Sequence, residues 1–166
     1  MKAKTNVLLF MSKIDMGGIE TLYLNVIPHL LDQYRFFITY YGEGDNELGP
    51  QFEALGCTLI KLDESRFRHP LRFVREIQKV IACDNISVVH TNVGYSTFFG
   101  LVAAYISRVP LRIAHSHNAS FGTDNNKWNW LFRLLCKLAC HWLATTRVNI
   151  GRFSAKALFF KHDRSV

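Results

Sequence analysis

The chain has 166 residues, 49% of them hydrophobic and 20% charged, a globular composition with length for one domain that buries about two thirds of its unfolded surface. No apolar stretch reaches the roughly 18–20 residues of a spanning helix, and the apolar run behind Met1-Lys2-Ala3-Lys4 is too brief for an export signal, so a cytoplasmic location is expected. The net charge of +7 is uneven: residues 1–76 carry nine Lys/Arg against ten Asp/Glu, and residues 77–166 carry eleven against three. That asymmetry turns the second half towards something anionic (phosphates, an acidic membrane or nucleic acid) unless it is only a solvated basic surface.

In chain order, Asn6–Met11 is a continuous apolar run, as a strand buried on both faces should be. Ile19, Leu22, Tyr23, Val26, Ile27 and Leu30 then recur at helical spacing. Arg35–Tyr41, rich in aromatic and β-branched residues, reads as a second strand. Gly42–Gly49 reads as a solvated loop. A short helix over Glu47–Leu55 stops at Gly56, and Cys57–Leu62 is a third strand. A helix marked by Leu71, Val74, Ile77 and Ile81 starts near Pro70, a favoured first-turn residue.

Ile86–Thr91 is a fourth strand, Ser96–Ser107 an apolar helix, and Leu111–Ser116 a fifth strand. Asn126–His141 reads as a long helix, Trp142–Thr146 as a sixth strand and Asn149–Phe160 as a last helix. Alternating strands and helices imply right-handed crossovers and parallel strands. The expected fold is α/β: a Rossmann-like, doubly wound, mostly parallel sheet of about six strands with helices on both faces. Four cysteines do not make a secreted disulfide framework. Cys136 and Cys140 beside His141 could be part of a metal site, but no second ligand-rich motif accompanies them, so they are read as core.

Ligands of an open parallel sheet gather beyond the carboxyl ends of its strands. On this reading the first rim segment is Lys13–Glu20, the next His90, Thr91, Asn92 and Gly94, the next His115, Ser116, His117 and Asn118, and the last Thr145, Thr146 and Arg147. Three of the seven histidines thus converge on one edge, as metal ligands, acid–base groups, hydrogen-bond partners of a sugar, or satisfied interior residues. Gly17-Gly18 opens the first helix, where free N–H groups and the helix dipole favour a phosphate; a turn that needs small residues is the plainer reading. The spacing is neither G-x-G-x-x-G nor G-x-x-x-x-G-K-[ST], which disfavours a dinucleotide and excludes a P-loop.

These segments resemble glycosyltransferase family 4. Met16-Gly-Gly-Ile-Glu-Thr21 is similar to the family's glycine-rich opening, Ser87-Val-Val-His-Thr-Asn92 to its strand-four signature, and Arg108–Asn118 to the next one. Leu138–Phe160 resembles the strand and helix before the interdomain linker. The likeness runs in order along nearly the whole chain and is nearest to members that build bacterial surface polysaccharides.

The resemblance implies the GT-B fold, two Rossmann-like domains with the active site between them. The first binds mainly the acceptor; the second holds the nucleotide sugar through an E-x7-E motif, which this chain lacks. Residues 1–160 would be the acceptor-side domain and 161–166 the start of the linker, with the donor-binding domain absent. By position, Gly17 and Gly18 would approach the donor diphosphate, and His117 would be the catalytic histidine near the reacting sugar carbon of a retaining enzyme. His90, Asn92, His115 and Asn118 would meet the acceptor, although Asn92 stands where many members carry a second histidine. No metal and no cofactor is implied, the nucleotide sugar being a substrate.

The expected partners are a nucleotide sugar, a saccharide or lipid-linked acceptor, an anionic membrane surface and a companion donor-binding domain. Nucleic acid is not among them, since no recognition helix or aromatic stacking motif is evident. The alternative is a non-catalytic acceptor- or membrane-binding module that acts with a separate donor-domain chain. Trp128, Trp130, Phe132, Arg133 and Lys137 suit the membrane expectation, because aromatic and basic side chains favour the headgroup region.

Overall fold

A computed structural model describes residues 3–42, 44–63, 69–117 and 127–160, with the backbone alone at 95 and 127–129. Six strands form one sheet: β1 (Thr5–Phe10), β2 (Tyr34–Tyr40), β3 (Thr58–Lys61), β4 (Val88–Thr91), β5 (Leu111–Ser116) and β6 (Thr146–Asn149). Their order is β3-β2-β1-β4-β5-β6, and every pairing is parallel. The Rossmann-like, doubly wound sheet expected from the sequence is the observed one.

Period-two alternation in the buried strands divides the core. From β1, Val7 and Leu9 join one cluster while Leu8 and Phe10 join another. The first cluster takes Tyr23 from α1 (Gly18–Val26), Ile27 from the 3-10 turn after it, and Phe52 from α2 (Gly49–Ala54). The second takes Phe73 and Ile77 from α3 (Pro70–Cys83) and Phe99 from α4 (Thr97–Ile106). Each fully buried large side chain such as Phe10 or Phe73 contributes about 1.5–3 kcal/mol.

A third cluster joins Ala114 of β5 and Leu101 of α4 to Cys136, Ala139 and Cys140 of α5 (Lys127–Trp142) and Leu158 of α6 (Arg152–Leu158). Two glycines have structural reasons. Gly56 ends α2 with φ +81°, in the left-handed region that costs glycine nothing. A Cβ at Gly100 would stand 2.8 Å from Thr91 Cγ2 and 3.1 Å from Phe10 Cδ1, so glycine lets α4 press onto the sheet.

The helices cover the two faces unevenly. Val88 and His90 of β4, with Leu111 and Ile113 of β5, face the α1 side and line a cavity of about 310 Å3 together with Tyr23, Val26 and Leu30. β1 and β4 are neighbours whose following helices go to opposite faces. That reversal is the switch point, where the strand ends open into a crevice.

One strand is displaced from its expected place. Trp142-Leu-Ala has strand-like composition, but α5 runs through Trp142 and β6 begins at Thr146. The helical phase wins there: Leu135, Leu138 and Trp142 continue the spacing of Leu131, and Cys136, Ala139 and Cys140 bury the opposite side. Thr145, Thr146 and Arg147 therefore lie at the amino end of β6, away from the rim expected to hold them. His90 and Thr91 are the last residues of β4, and His115 and Ser116 the last of β5, the ends expected for those two strands.

Candidate functional site

At the switch point the ends of β1, β4 and β5 bring two groups of side chains to one rim. The first is the start of α1. Gly17 is the residue before the helix, in extended backbone (φ −154°, ψ 169°) that any residue adopts, and a Cβ at Gly18 would meet nothing within 4 Å. Backbone conformation demands glycine at neither position, and packing does not demand it at Gly18. A Cβ at Gly17 would meet the Glu20 carboxylate, a movable side chain. Glu20 lies in the first turn, where negative charge is favoured by the helix dipole. Burial, aided by the Asp15 carboxylate, pushes its carboxyl up against the opposing pull of a hydrogen bond from its own backbone. An incoming anion must therefore contend with Glu20, a residue the sequence reading passed over.

The second group is a closed polar cluster. His90 Nδ1 lies 3.1 Å from Tyr23 Oη, and His90 Nε2 lies 3.1 Å from His115 Nδ1. The Tyr23 hydroxyl donates to Asn92 Oδ1 at 2.9 Å, and His117 Nε2 lies 3.0 Å from the same oxygen. The Asn92 amide in turn donates to the His90 carbonyl at 3.2 Å. The rings of His90 and His115 stack with centroids 5.2 Å apart, and those of His115 and His117 are 3.7 Å apart.

Parallel register explains the juxtaposition. His90 pairs with Ile113, which sets His115 one pleat further on the same face, and the chain leaving β5 carries His117 over the crevice. Tyr23 sits on the buried side of α1, five residues after its first, about 7.5 Å of helical rise from Gly18. α1 thus links the two groups.

Electrostatically the cluster is neutral. Burial pulls His90 down to about 3, with the neighbouring imidazoles His115 and His117 adding to the effect. Burial, then His117, pulls His115 down to about 4, and burial lowers His117 as well. The Tyr23 hydroxyl is pushed upward by burial, against its bond to Asn92. Such groups recognise hydroxyls, or exchange protons with them, without carrying charge at pH 7.

The structure brings His90, Asn92, His115 and His117 together and places Gly17 and Gly18 at the start of the helix that carries Tyr23. Asn118 lies outside the described residues. Tyr23 counted in the sequence only towards helical periodicity. Its usable signal was chemical: a tyrosine on the buried face of a helix needs a partner for its hydroxyl. Cys136 and Cys140 are buried in the third core cluster. Among the described residues no group of three His, Cys, Asp or Glu is arranged to hold a metal.

No protein-family model matches the chain. It is 29% identical over 134 residues to EpsF of Bacillus subtilis (strain 168), named as a glycosyltransferase, a match that spans 80% of this chain and 34% of EpsF. It is 25% identical over 109 residues to the capsular polysaccharide biosynthesis glycosyltransferase CapH of Staphylococcus aureus, spanning 66% of this chain and 30% of CapH. The chain thus spans about a third of the length of these curated relatives. Among solved structures, HepE of Anabaena in complex with UDP superposes with a TM-score of 0.70 over 93% of this chain and 40% of that one, at 12% identity. The last likeness is one of fold; the first two agree with the sequence resemblance to surface-polysaccharide glycosyltransferases.

Proposed function

We propose that the chain is the acceptor-side half of a retaining glycosyltransferase that moves a sugar from a nucleotide sugar to a saccharide or lipid-linked acceptor. The observation that carries this reading is the pairing, at one switch point, of an open glycine-rich helix start with a neutral cluster of imidazoles. The likeness to EpsF and CapH supports it, and the similar fold of HepE, solved with UDP and glucose, fits it.

In this reading Gly17 and Gly18 let the donor diphosphate approach the N–H groups of α1, and His117 stands at the reacting sugar. His115, Asn92 and Asn118 meet the acceptor. His90, with both ring nitrogens engaged, acts by holding His115. The leaving diphosphate needs fixed positive charge and N–H donors as its bond breaks, and one helix end supplies few of them. Holding both reactants in attack geometry supplies about 7–11 kcal/mol of a barrier. The 166-residue chain alone is therefore expected to fold, to bind a nucleotide sugar too weakly to see at micromolar concentration, and not to turn over. Isothermal titration with UDP- and GDP-sugars beside a radiolabelled transfer assay tests this. Multiple turnovers by the purified chain without a companion donor-binding domain would refute the division of labour.

A peripheral place on an anionic membrane is a second proposal, favoured by the outer side of α5. Leu131, Leu135, Leu138 and Trp142 form an exposed stripe at positions i, i+4, i+7 and i+11, with Trp130 66% and Trp142 72% exposed. Residues 127–160 contain six Lys/Arg and no Asp/Glu. Of the residues first expected to carry this role, Trp130 is exposed while two others are engaged within the chain. Phe132 packs on Phe98 and Phe99, the Lys137 ammonium donates to the Lys156 and Phe159 carbonyls, and the Trp128 side chain lies outside the described residues. No helix among the described residues is long and apolar enough to cross a membrane. Flotation with anionic vesicles at low salt, where attraction is strongest, should recover the chain, and Leu135→Glu should release it; failure of the unmodified chain to float refutes the proposal.

A further inference from the structure

One contact orients the whole histidine cluster. The end of the Asn92 amide that lies 3.2 Å from the His90 carbonyl must be its nitrogen, because a carbonyl only accepts. Asn92 Oδ1 therefore faces Tyr23 Oη and His117 Nε2, at 2.9 and 3.0 Å, and since it has no proton both of those atoms donate to it. With its single proton committed to Asn92, the Tyr23 oxygen can only accept from His90 Nδ1 at 3.1 Å. A neutral His90 that is protonated on Nδ1 is bare on Nε2, which then accepts from His115 Nδ1 at 3.1 Å. Turning the amide end for end would reverse the His90, His115 and His117 tautomers and set two oxygens face to face at the His90 carbonyl.

We infer that Tyr23 and Asn92 are positioning residues that lock the three imidazoles in one set of tautomers, with protons on Nδ1 of His90, Nδ1 of His115 and Nε2 of His117, so that His115 Nε2 and His117 Nδ1 are offered as bare acceptors. These two nitrogens have no partner among the described residues. Acceptors of this kind take the hydroxyl protons of an uncharged polyol and give no hydrogen bond to a phosphate, which accepts only. The polyol as ligand rests on the proposed function; the tautomers follow from the contacts alone. The neutral state they require agrees with the downward shifts of all three histidines.

The test is long-range proton–nitrogen correlation spectroscopy of the imidazoles in the 15N-labelled chain at pH 7. The expected spectrum has a protonated Nδ1 and bare Nε2 at His90 and His115, and the opposite at His117. The reversed assignment, or fast averaging at His117, overturns the proposal. Tyr23→Phe keeps the ring and removes the oxygen that accepts from His90. His90 and His115 should then both move to the Nε2-protonated form while His117 keeps its own, since Asn92 still accepts from it. A merely structural Tyr23 would leave all three tautomers unmoved, and that result overturns its role. If Tyr23→Phe fails to fold, the spectrum of the unmodified chain still decides. A chain that binds no sugar would give the same apo spectra, so this inference and the proposed function fail separately.

Discussion

Along α1 the crevice has two ends, the start of the helix and its buried Tyr23 turn, and they are built on opposite principles. At Gly17 and Gly18 the backbone is open, charge gathers in Asp15 and Glu20, and nothing within 4 Å fills the place of a Gly18 side chain. At Tyr23 the surroundings are closed, neutral and hydrogen-bonded through Asn92 to three histidines. One end suits an anion that displaces a carboxylate; the other suits uncharged hydroxyls. A nucleotide sugar presents both kinds of group, which is why the contrast favours the proposed reading over a site for a simple anion.

The contrast breaks most visibly through Asn92. Asn92→Leu removes the acceptor shared by Tyr23 and His117 and leaves two donors without partners. A stranded buried group costs about 1–3 kcal/mol, and His117, being half-buried, costs less than buried Tyr23, so urea unfolding should show a loss of about 2–4 kcal/mol; a change under about 0.5 kcal/mol would mean that the closed end is not held by this network.

Acid separates the two ends next. The histidines' folded pKa values lie below the ordinary value of 6.5, at about 3 for His90 and about 4 for His115. Between 6.5 and those values the unfolded chain binds more protons than the folded one, so stability is fully present above pH 6.5 and falls as the pH drops. For His90 alone the slope approaches about 1.4 kcal/mol per pH unit. Urea midpoints measured from pH 7.5 to 4.5 should decline accordingly, and a profile that stays flat or rises would contradict a neutral, buried cluster.

How much of this was legible beforehand follows from the kind of signal each part leaves. β1 and β5 are marked by local runs, Asn6–Met11 and Leu111–Ser116, and the strands Thr5–Phe10 and Leu111–Ser116 fall on those runs to within a residue. β6 was misplaced because Trp142-Leu-Ala is equally at home on a helix, and the stripe through Leu135 and Leu138 decides the matter over a longer span than a strand pattern covers. The histidines' convergence was readable because strand ends in a parallel sheet share an edge. The network was not, since Tyr23 lies 67 positions from His90 and only packing of α1 on β4 makes them neighbours. Glu20 was hidden by its ordinary place in a first turn.

At the open end the expected effects are smaller and of opposite sign for folding and binding. Gly18→Ala should raise stability by about 0.4–1 kcal/mol, since the folded backbone has room for the methyl and the unfolded chain loses freedom. The same variant should weaken nucleotide-sugar binding; unchanged binding would show that nothing approaches this glycine. Glu20→Gln should strengthen pyrophosphate binding by about 0.3–1 kcal/mol, the usual scale of a charge at a helix start, as read by titration at low salt, and weaker binding would mean that the carboxylate is no competitor.

The central claim, that the start of α1 and the cluster around Tyr23 face one sugar-phosphate ligand, is tested most directly by amide chemical-shift mapping of the 15N-labelled chain with millimolar UDP-glucose. The account predicts weak, saturable shifts that group at Gly17–Thr21, Asn92–Gly94 and His115–His117 and are reproduced only in part by pyrophosphate or glucose alone. Shifts grouped at the amino ends of the strands, or none at these three segments, would contradict it.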